Sequence, residues 1–293
     1  MNSLLKDSIL LIRPTHWVKN FLVVAPPFFA GIVFDSLNNL IIALLSFFSF
    51  SFASSAGYIL NDLVDAESDR YHPVKKDRPL ASGRIKKNTA IITGLLLLAL
   101  AIIIGLKINL LFTLILVCYL ALSTSYTLVL KNIVIIESFC IAGGFLLRII
   151  AGGVGSTVAI SGWLILTTFF LSLLLAFGKR KSELKLTDES SNFRKVLNYY
   201  DSRFLENGMV IFSTASIITY SIYLINKGVE IIAVTIPFVC FGILRYHYIV
   251  HFKSKGDPTD VLLKDFWLLF CVIVWLVVTG IFIYSFNTVS FLQ

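Results

Sequence analysis

A group of acidic side chains follows a long apolar run near residue 60. Asp62, Asp65 and Asp69 fall at positions i, i+3 and i+7, so a helix would present their carboxylates on one side. Asn61 lies on the same side. Like charges this close repel one another unless a cation neutralises them, and oxygen ligands suit a hard divalent cation. The pattern predicts a Mg²⁺ site that faces a diphosphate. The alternative is a solvent-exposed helix end without a metal ion, which is disfavoured because acidic residues stabilise the start of a helix rather than its end.

A basic segment follows the acidic one. The acidic helix is expected to end before His72 and Pro73, because proline lacks a backbone donor and restricts the residue before it. Beyond this point we interpret Lys75 and Arg78 as ligands for the phosphate oxygens that a metal ion leaves uncovered. The alternative for the cations of this segment is anchoring at the membrane surface, which we prefer for Lys86 and Lys87.

The elements that must position these groups are membrane helices. Hydrophobic residues make up 57% of the 293-residue chain, against roughly 45–50% in soluble domains, and the mean hydropathy is +0.86. The sequence predicts an all-α integral membrane protein whose nine transmembrane helices surround a polar pocket at the cytoplasmic side. The predicted spans are 18–36, 39–62, 89–106, 108–130, 133–153, 160–178, 208–226, 229–250 and 265–286.

Positive charge is distributed unevenly between the two sides of the predicted bundle. If the chain crosses the membrane nine times, 22 of the 25 Lys and Arg residues lie in segments on the same side of the membrane. Of the other three, Lys107 and Lys227 lie on the opposite side and Arg148 lies within a span. This is the positive-inside pattern, so the N-terminus is predicted to be cytoplasmic and the C-terminus outside a cell membrane. The net charge of +8 therefore does not indicate a nucleic-acid partner.

Polar residues concentrate in two predicted cytoplasmic loops, about 63–88 and 179–207. The sequence shows no linker or second domain, so we expect one transmembrane domain over 1–293, with these loops capping the active site. Near the last span, Asp257 and Pro258 are typical of a helix N-cap and first position, and we assign Asp257 no chemistry.

Five segments of the chain resemble one known family. The segment Asn61–Gly83 resembles the first signature of the UbiA-type intramembrane prenyltransferase superfamily. Four others resemble its decaprenyl-phosphate phosphoribosyltransferase branch: Arg13–Asn20, Gly178–Glu183, Phe193–Leu197 and Gly256–Leu263. The resemblance extends over essentially the full length. It implies a nine-helix bundle that handles prenyl and diphosphate groups with Mg²⁺ held by the acidic group described above.

The segment Gly178–Glu183 bears on the choice of donor. Aromatic prenyltransferases of the superfamily carry a second motif, DxxxD, after span six, and no pair of aspartates with this spacing follows here. Lys179, Arg180 and Lys181 are instead expected to hold the ribose 5-phosphate or the lipid phosphate directly, with Glu183 in the same substrate-binding segment. This favours phosphoribosyl pyrophosphate as the donor and a polyprenyl phosphate as the acceptor.

Further candidates lie in or beside the spans. Tyr126 and Lys131 resemble a tyrosine–lysine pair that the superfamily places near the diphosphate, although residues five apart share a helix face poorly. Lys131 also suits a cytoplasmic anchor. Lys19 is assigned to the phosphate pocket by resemblance. Arg148 lies well inside a span, so we expect it to face the central cavity and meet an acid or a substrate phosphate; an intramembrane salt bridge alone is the alternative.

Together these features predict a Mg²⁺-dependent enzyme that transfers phosphoribosyl to a polyprenyl phosphate and releases pyrophosphate, for cell-envelope glycan precursors. The expected catalytic residues are Asp62, Asp65, Arg148 and Tyr126. The attacking phosphate oxygen is already ionised, so positioning and electrostatics rather than a strong base would promote the reaction. The alternatives are a prenyltransferase that acts on an aromatic or other small acceptor, and a lipid transporter, which is disfavoured because no internal repeat is evident. The sequence does not determine the oligomeric state, and a homo-oligomer is one alternative.

Overall fold

The described ranges of the chain form α-helices and 3₁₀-helices. The computed structural model describes residues 3–71, 75–187, 195–226, 230–252 and 257–286. The α-helices are α1 (Ser3–Ile12), α2 (Ala25–Phe29), α3 (Leu37–Val64), α4 (Ala66–Asp69), α5 (Lys87–Ile108), α6 (Leu110–Leu128), α7 (Ile136–Gly155), α8 (Gly162–Thr187), α9 (Ser202–Asn226), α10 (Ile236–Phe252), α11 (Pro258–Lys264) and α12 (Phe266–Phe286). The 3₁₀-helices are Pro14–Val23, Lys75–Asp77, Leu130–Asn132, Lys195–Tyr199 and Glu230–Thr235.

Eight helices of the described residues are long and apolar enough to cross a membrane: α3, α5, α6, α7, α8, α9, α10 and α12. They correspond to eight of the nine predicted spans. Their outer surfaces are apolar, since Leu95 and Leu96 on α5 and Phe266 and Ile281 on α12 are each more than half exposed. Such surfaces are costly in water and suit hydrocarbon. The protein is therefore a multi-pass membrane protein.

The predicted span 18–36 does not form a single helix. It lies in the 3₁₀-helix Pro14–Val23, in α2, and in a turn where Gly31 has a positive φ of 75°. Pro26 and Pro27 lack a backbone N–H, so they fit the first turn of α2 but would interrupt a helix that began at residue 18. The described residues thus give eight spanning helices rather than nine, and the side on which each terminus lies stays a prediction.

The Pro14–Val23 helix enters the bundle and packs against α3 and α7. Its closest approach is at Gly152 of α7, where an added Cβ would lie 1.9 Å from the carbonyl oxygen of Val23. A glycine is therefore required at this contact. The packing leaves Asn20 fully buried beside α7 and brings Lys19 to the inside of the bundle.

The second predicted loop begins later than expected, because α8 continues to Thr187. Lys179, Arg180 and Lys181 therefore lie on a helix, where successive side chains point about 100° apart. At the first loop, α4 ends at Asp69, whereas the predicted helix end at His72 and Pro73 lies outside the described residues.

Candidate active site

Two of the predicted metal ligands meet arginine side chains at the end of α3. The Oδ1 atom of Asp62 accepts hydrogen bonds from Arg13 Nη2 (2.5 Å) and Arg78 Nη1 (3.0 Å). Arg78 Nη1 also donates to Asp69 Oδ2 at 2.6 Å, so Asp62 and Asp69 share one guanidinium. Arg13 reaches Asp62 from a left-handed backbone conformation with φ 57°, which is unusual for arginine and often found at functional sites.

The third carboxylate, Asp65, lies at a break in the helix. It separates α3 from α4 with φ −91° and ψ 1°. Its Oδ1 atom accepts a hydrogen bond from Lys131 Nζ at 2.6 Å. The predicted uninterrupted helix face is therefore wrong: Asp65 faces Lys131, whereas the other two carboxylates face Arg78.

The donor atoms at the end of α3 are of the type that a hard divalent cation binds. Asn61 adds an amide oxygen to the three carboxylates, and all four groups are oxygen ligands of the kind that Mg²⁺ prefers. Within the described ranges, no three His, Cys, Asp or Glu side chains stand close enough to hold a metal ion together. Burial raises the pKa of the Asp69 carboxyl, and Arg78 opposes this rise. A metal ion would share these carboxylates with Arg and Lys side chains, a type of residue that commonly binds phosphate oxygens.

A cavity of about 210 Å³ begins at Tyr58, one helical turn before Asp62. Its walls come from the Pro14–Val23 helix, α3, α6, α7, α8 and α11. Three cationic side chains line it, namely Lys19, Arg148 and Lys179. The apolar part of the wall includes Leu122, Ile141, Phe145 and Leu175. Cations set in an apolar wall suit a ligand with an anionic head and an apolar tail.

Arg148 faces this cavity from α7, as expected, and is 5% exposed. Its guanidinium donates three hydrogen bonds, to Asn20 Oδ1 (2.8 Å), the Gly144 carbonyl (2.8 Å) and the Tyr119 hydroxyl (3.0 Å). Since a guanidinium has five N–H groups, two remain for a ligand. No carboxylate in the described part of the chain forms a salt bridge with Arg148, so the alternative of an intramembrane salt bridge is not supported. A buried charge of this kind calls for an anion in the cavity.

The two lysines of the cavity differ in their partners. Lys179 Nζ donates to Asp257 Oδ2 at 2.9 Å, while Lys19 Nζ donates to His16 Nδ1 at 3.4 Å. The Oδ1 atom of Asp257 accepts from Thr259 N at 3.1 Å, which confirms the predicted N-cap of α11. Burial opposes ionisation of Asp257, but Lys179 and Lys19 outweigh it and hold its pKa below the usual range. Burial, followed by the Lys19 ammonium, lowers the pKa of His16 to about 4, so His16 is neutral near pH 7.

Arg180, expected to bind a phosphate, is not among the residues that line the cavity. It is 1% exposed, and its Nε and Nη2 atoms bind the fully buried carboxylate of Glu137 at 2.7–2.8 Å. Its Nη1 atom pairs with Glu183, and Nη2 lies 3.4 Å from the Tyr126 hydroxyl. Arg180, Glu137 and Glu183 thus form a buried ion cluster. Tyr126 both contacts this cluster and lines the cavity.

The remaining predicted phosphate ligands lie in three places. Lys181 pairs with Glu206 of α9 at 2.8 Å, and its side chain is only 4% exposed, so it does not reach the cavity. Arg78 and Lys131 bind the carboxylates at the end of α3. Lys75 is partly buried in the 3₁₀-helix Lys75–Asp77. The structure therefore gathers only some of the expected residues. Arg78 and Lys131 lie at the acidic end of α3, and the cavity is lined by Lys19, Tyr126, Arg148 and Lys179.

Several groups of the site were not selected from the sequence. His16 and Asn20 lie in the Arg13–Asn20 segment, so the resemblance of that segment was the available indication. Tyr119 stands seven residues before Tyr126, a spacing that places both on one face of α6. Asp257 was identified only as a cap, although it also binds a cavity lysine.

Several known proteins are similar to this chain over most of its length. A sequence model of the UbiA prenyltransferase family matches residues 22–271. The chain is 34% identical to the decaprenyl-phosphate phosphoribosyltransferase of Mycobacterium tuberculosis strain H37Rv, over 92% of this chain and 91% of that protein. It is 33% identical to the protein of the same name from Corynebacterium glutamicum, over 90% and 82% respectively. A UbiA homolog from Archaeoglobus fulgidus bound to GPP and Mg²⁺ superposes with a TM-score of 0.72 at 20% identity, covering 95% of this chain and 99% of that one.

Proposed function

Because the chain belongs to the UbiA prenyltransferase family, we propose that it transfers the 5-phosphoribosyl group of phosphoribosyl pyrophosphate to a polyprenyl phosphate of the decaprenyl type. Relatives named decaprenyl-phosphate phosphoribosyltransferase, which align over most of the chain, support this assignment. The product is a lipid-linked sugar phosphate, which would supply precursors of cell-envelope glycans.

The observation that carries the proposal is the proximity of two anion-binding regions of different character. The acidic end of α3 combines oxygen donors with cations and suits a metal-bound pyrophosphate. The cavity beside it combines three cations with an apolar wall and suits the phosphate of a prenyl lipid. A donor diphosphate and an acceptor monophosphate would each find a suitable region within one site.

The reaction requires the two substrates to be held in line. An oxygen of the lipid phosphate forms a bond to C1 of the ribosyl group, while the bond from C1 to the pyrophosphate oxygen breaks and its electron pair leaves with pyrophosphate. The nucleophile is already ionised, so no general base is needed. The protein lowers the barrier by orienting both substrates and by placing positive charge where negative charge develops.

At the donor end, Asn61, Asp62, Asp65 and Asp69 are the proposed Mg²⁺ ligands. When bound there, Mg²⁺ would neutralise charge on the leaving pyrophosphate. Cationic side chains already lie 2.5–3.0 Å from the carboxylate oxygens, which places them near the same phosphate oxygens; they are Arg13, Arg78 and Lys131. Lys75 keeps its proposed role as a ligand of the outer phosphate oxygens.

At the acceptor end, Lys19, Arg148 and Lys179 are proposed to bind the lipid phosphate. The two remaining N–H groups of Arg148 offer a pair of charge-assisted hydrogen bonds. The Tyr126 hydroxyl lies in the same wall and could donate to a phosphate oxygen at the side of the reacting atoms. The prenyl chain would follow the apolar part of the cavity.

We further propose that the site opens toward the cytoplasmic side of a cell membrane. The concentration of Lys and Arg on one side of the predicted bundle supports this orientation. The segments about 63–88 and 179–207 would then cap the site within a single domain over 1–293.

A transfer assay on the purified protein in detergent tests the proposal. Polyprenyl phosphate, Mg²⁺ and ribosyl-labelled phosphoribosyl pyrophosphate should yield labelled lipid, and EDTA should abolish the transfer. Lys179→Met should slow the reaction strongly, whereas Lys264→Met, at an exposed position on α11, is the matched control and should not. A parallel reaction supplies prenyl diphosphate and an aromatic acid. Prenyl transfer without ribosyl transfer would replace the proposal with the prenyltransferase alternative.

A further inference from the structure

Asp257 is the carboxylate that counterbalances the cation cluster of the cavity. Among the described residues, it is the acid that forms a salt bridge with a cavity-lining cation, through Lys179 at 2.9 Å. The nearby carboxylates of Glu137 and Glu183 are both paired with Arg180 instead. The charge of Asp257 therefore acts on the cavity directly.

The carboxylate of Asp257 is fixed from both sides. One oxygen accepts from Lys179 Nζ and the other accepts from the backbone N–H of Thr259, at the start of α11. The residue between them, Pro258, lines the cavity. Asp257 thus joins the end of α11 to the cavity wall and keeps the Lys179 ammonium at that wall.

The charges of the cluster can be counted. Counting only the side chains that line the cavity or bind its lining cations directly, Lys19, Arg148 and Lys179 supply three positive charges and Asp257 one negative charge, while His16 is neutral near pH 7. The balance of two positive charges matches a phosphate monoester, which carries about 1.5 to 2 negative charges near neutral pH. A diphosphate ester of the same alcohol carries about one more negative charge.

We propose that Asp257 determines specificity, because its charge makes the cavity bind a prenyl monophosphate in preference to a prenyl diphosphate of the same chain length. The inference rests on the proposed function, since that function assigns the lipid phosphate to this cavity. The two lipids present identical tails to the apolar wall. They differ in the charge and the size of the head group, and the carboxylate of Asp257 acts on the charge.

The substitution Asp257→Asn tests the inference with little disturbance of the fold. Asparagine is isosteric with aspartate and caps helices about as well, so the bond to Thr259 N is preserved. Dissociation constants of farnesyl phosphate and farnesyl diphosphate are measured on the full chain in detergent, in Mg²⁺-free buffer without donor. Asp260→Asn is the matched control, because Asp260 lies on the same helix and its side chain is 60% exposed.

Removing one charge at roughly 7 Å from the head group, at an effective dielectric constant of about 20, should shift the affinity ratio toward the diphosphate about 10- to 50-fold. Asp260→Asn should leave the ratio within about twofold, and Asp257→Glu, which keeps the charge, should retain the wild-type preference. An unchanged ratio in Asp257→Asn, or equal weakening of both lipids, would overturn the inference, since equal weakening indicates that Asp257 only holds Lys179.

The binding measurement separates this inference from the proposed function. A shifted ratio without ribosyl transfer would reject the proposed function and keep the charge selectivity. Ribosyl transfer with an unshifted ratio would reject the charge selectivity alone. Failure of the wild-type protein to bind farnesyl phosphate would overturn the inference.

Discussion

Replacing Arg148 with methionine distinguishes ligand binding from structural support in the cavity wall. Methionine keeps an unbranched, flexible side chain but removes the charge and the hydrogen-bond donors. An arginine at the centre of a membrane helix costs about 2.5–3.5 kcal/mol. Its loss leaves Asn20 Oδ1 and the Tyr119 hydroxyl without their present donor, at about 1–3 kcal/mol each. The gain of about 2.5–3.5 kcal/mol offsets much of the loss of about 2–6 kcal/mol, so the free energy of unfolding should fall by at most about 3.5 kcal/mol.

The effect on activity should be larger. Two N–H groups of Arg148 are available for the lipid phosphate, and a hydrogen bond to a charged group contributes about 1.5–3 kcal/mol. Losing both corresponds to about 3–6 kcal/mol, or a decrease of roughly 10²- to 10⁴-fold in kcat/KM for the lipid. Initial rates are measured against polyprenyl phosphate at saturating donor, with thermal unfolding in detergent recorded on the same preparation.

Arg245→Met is the matched control for this substitution. Arg245 pairs with Asp265 at 2.9–3.0 Å near the end of α10 and does not line the cavity. Its loss should leave kcat/KM within about threefold of the wild type, because a partly exposed ion pair contributes little. Near-normal activity of Arg148→Met would refute the anion-binding role. Loss of activity together with a collapse of thermal stability would show that Arg148 is structural.

Three further predictions concern the acidic end, the buried ion cluster and the pH dependence of stability. Asp62→Asn and Asp65→Asn should each slow ribosyl transfer about 100-fold or more without loss of folded protein, and normal rates across a Mg²⁺ titration would remove the proposed metal site. Glu137→Gln should destabilise the fold by about 3 kcal/mol, measured as a lower Tm, because it removes one of two carboxylates bound to the buried Arg180. The pKa of His16 falls from 6.5 to about 4 on folding. Between these values the unfolded chain binds the extra proton, so stability should decline as the pH falls from about 6.5 to about 4, and His16→Gln should flatten that part of a Tm–pH series.

Hydropathy predicts the spanning helices well because a segment exposed to lipid must be long and apolar, with its backbone N–H and C=O groups hydrogen-bonded within the helix. It fails at 18–36, where the composition is also largely apolar but the backbone is not one helix. A new short α-helix, α2, begins just before Pro26 and Pro27, and the chain then turns at Gly31, which has a positive φ. A sum over side-chain hydrophobicity does not detect these backbone constraints.

The acidic residues proposed as metal ligands could be selected from the sequence because they lie close together along the chain. Their partners could not, since tertiary packing selects them: Arg13 and Asp62 are 49 residues apart, and Asn20 and Arg148 are 128 apart. Asp257 illustrates a different difficulty. The N-cap interpretation was correct, but capping uses one carboxylate oxygen and leaves the other free to bind Lys179.

The run Lys179, Arg180 and Lys181 shows how helix geometry limits a cluster of charges. On α8 these side chains point about 100° apart, so they cannot converge on one phosphate as they would on a flexible loop. Because α8 packs against both α7 and α9, Arg180 reaches Glu137 on α7 and Lys181 reaches Glu206 on α9. Of this run, only Lys179 lines the cavity in the described part of the chain. The other cations of the cavity therefore come from distant segments. The position of each helix, rather than the number of basic residues in α8, sets the charge that the proposed lipid phosphate would meet.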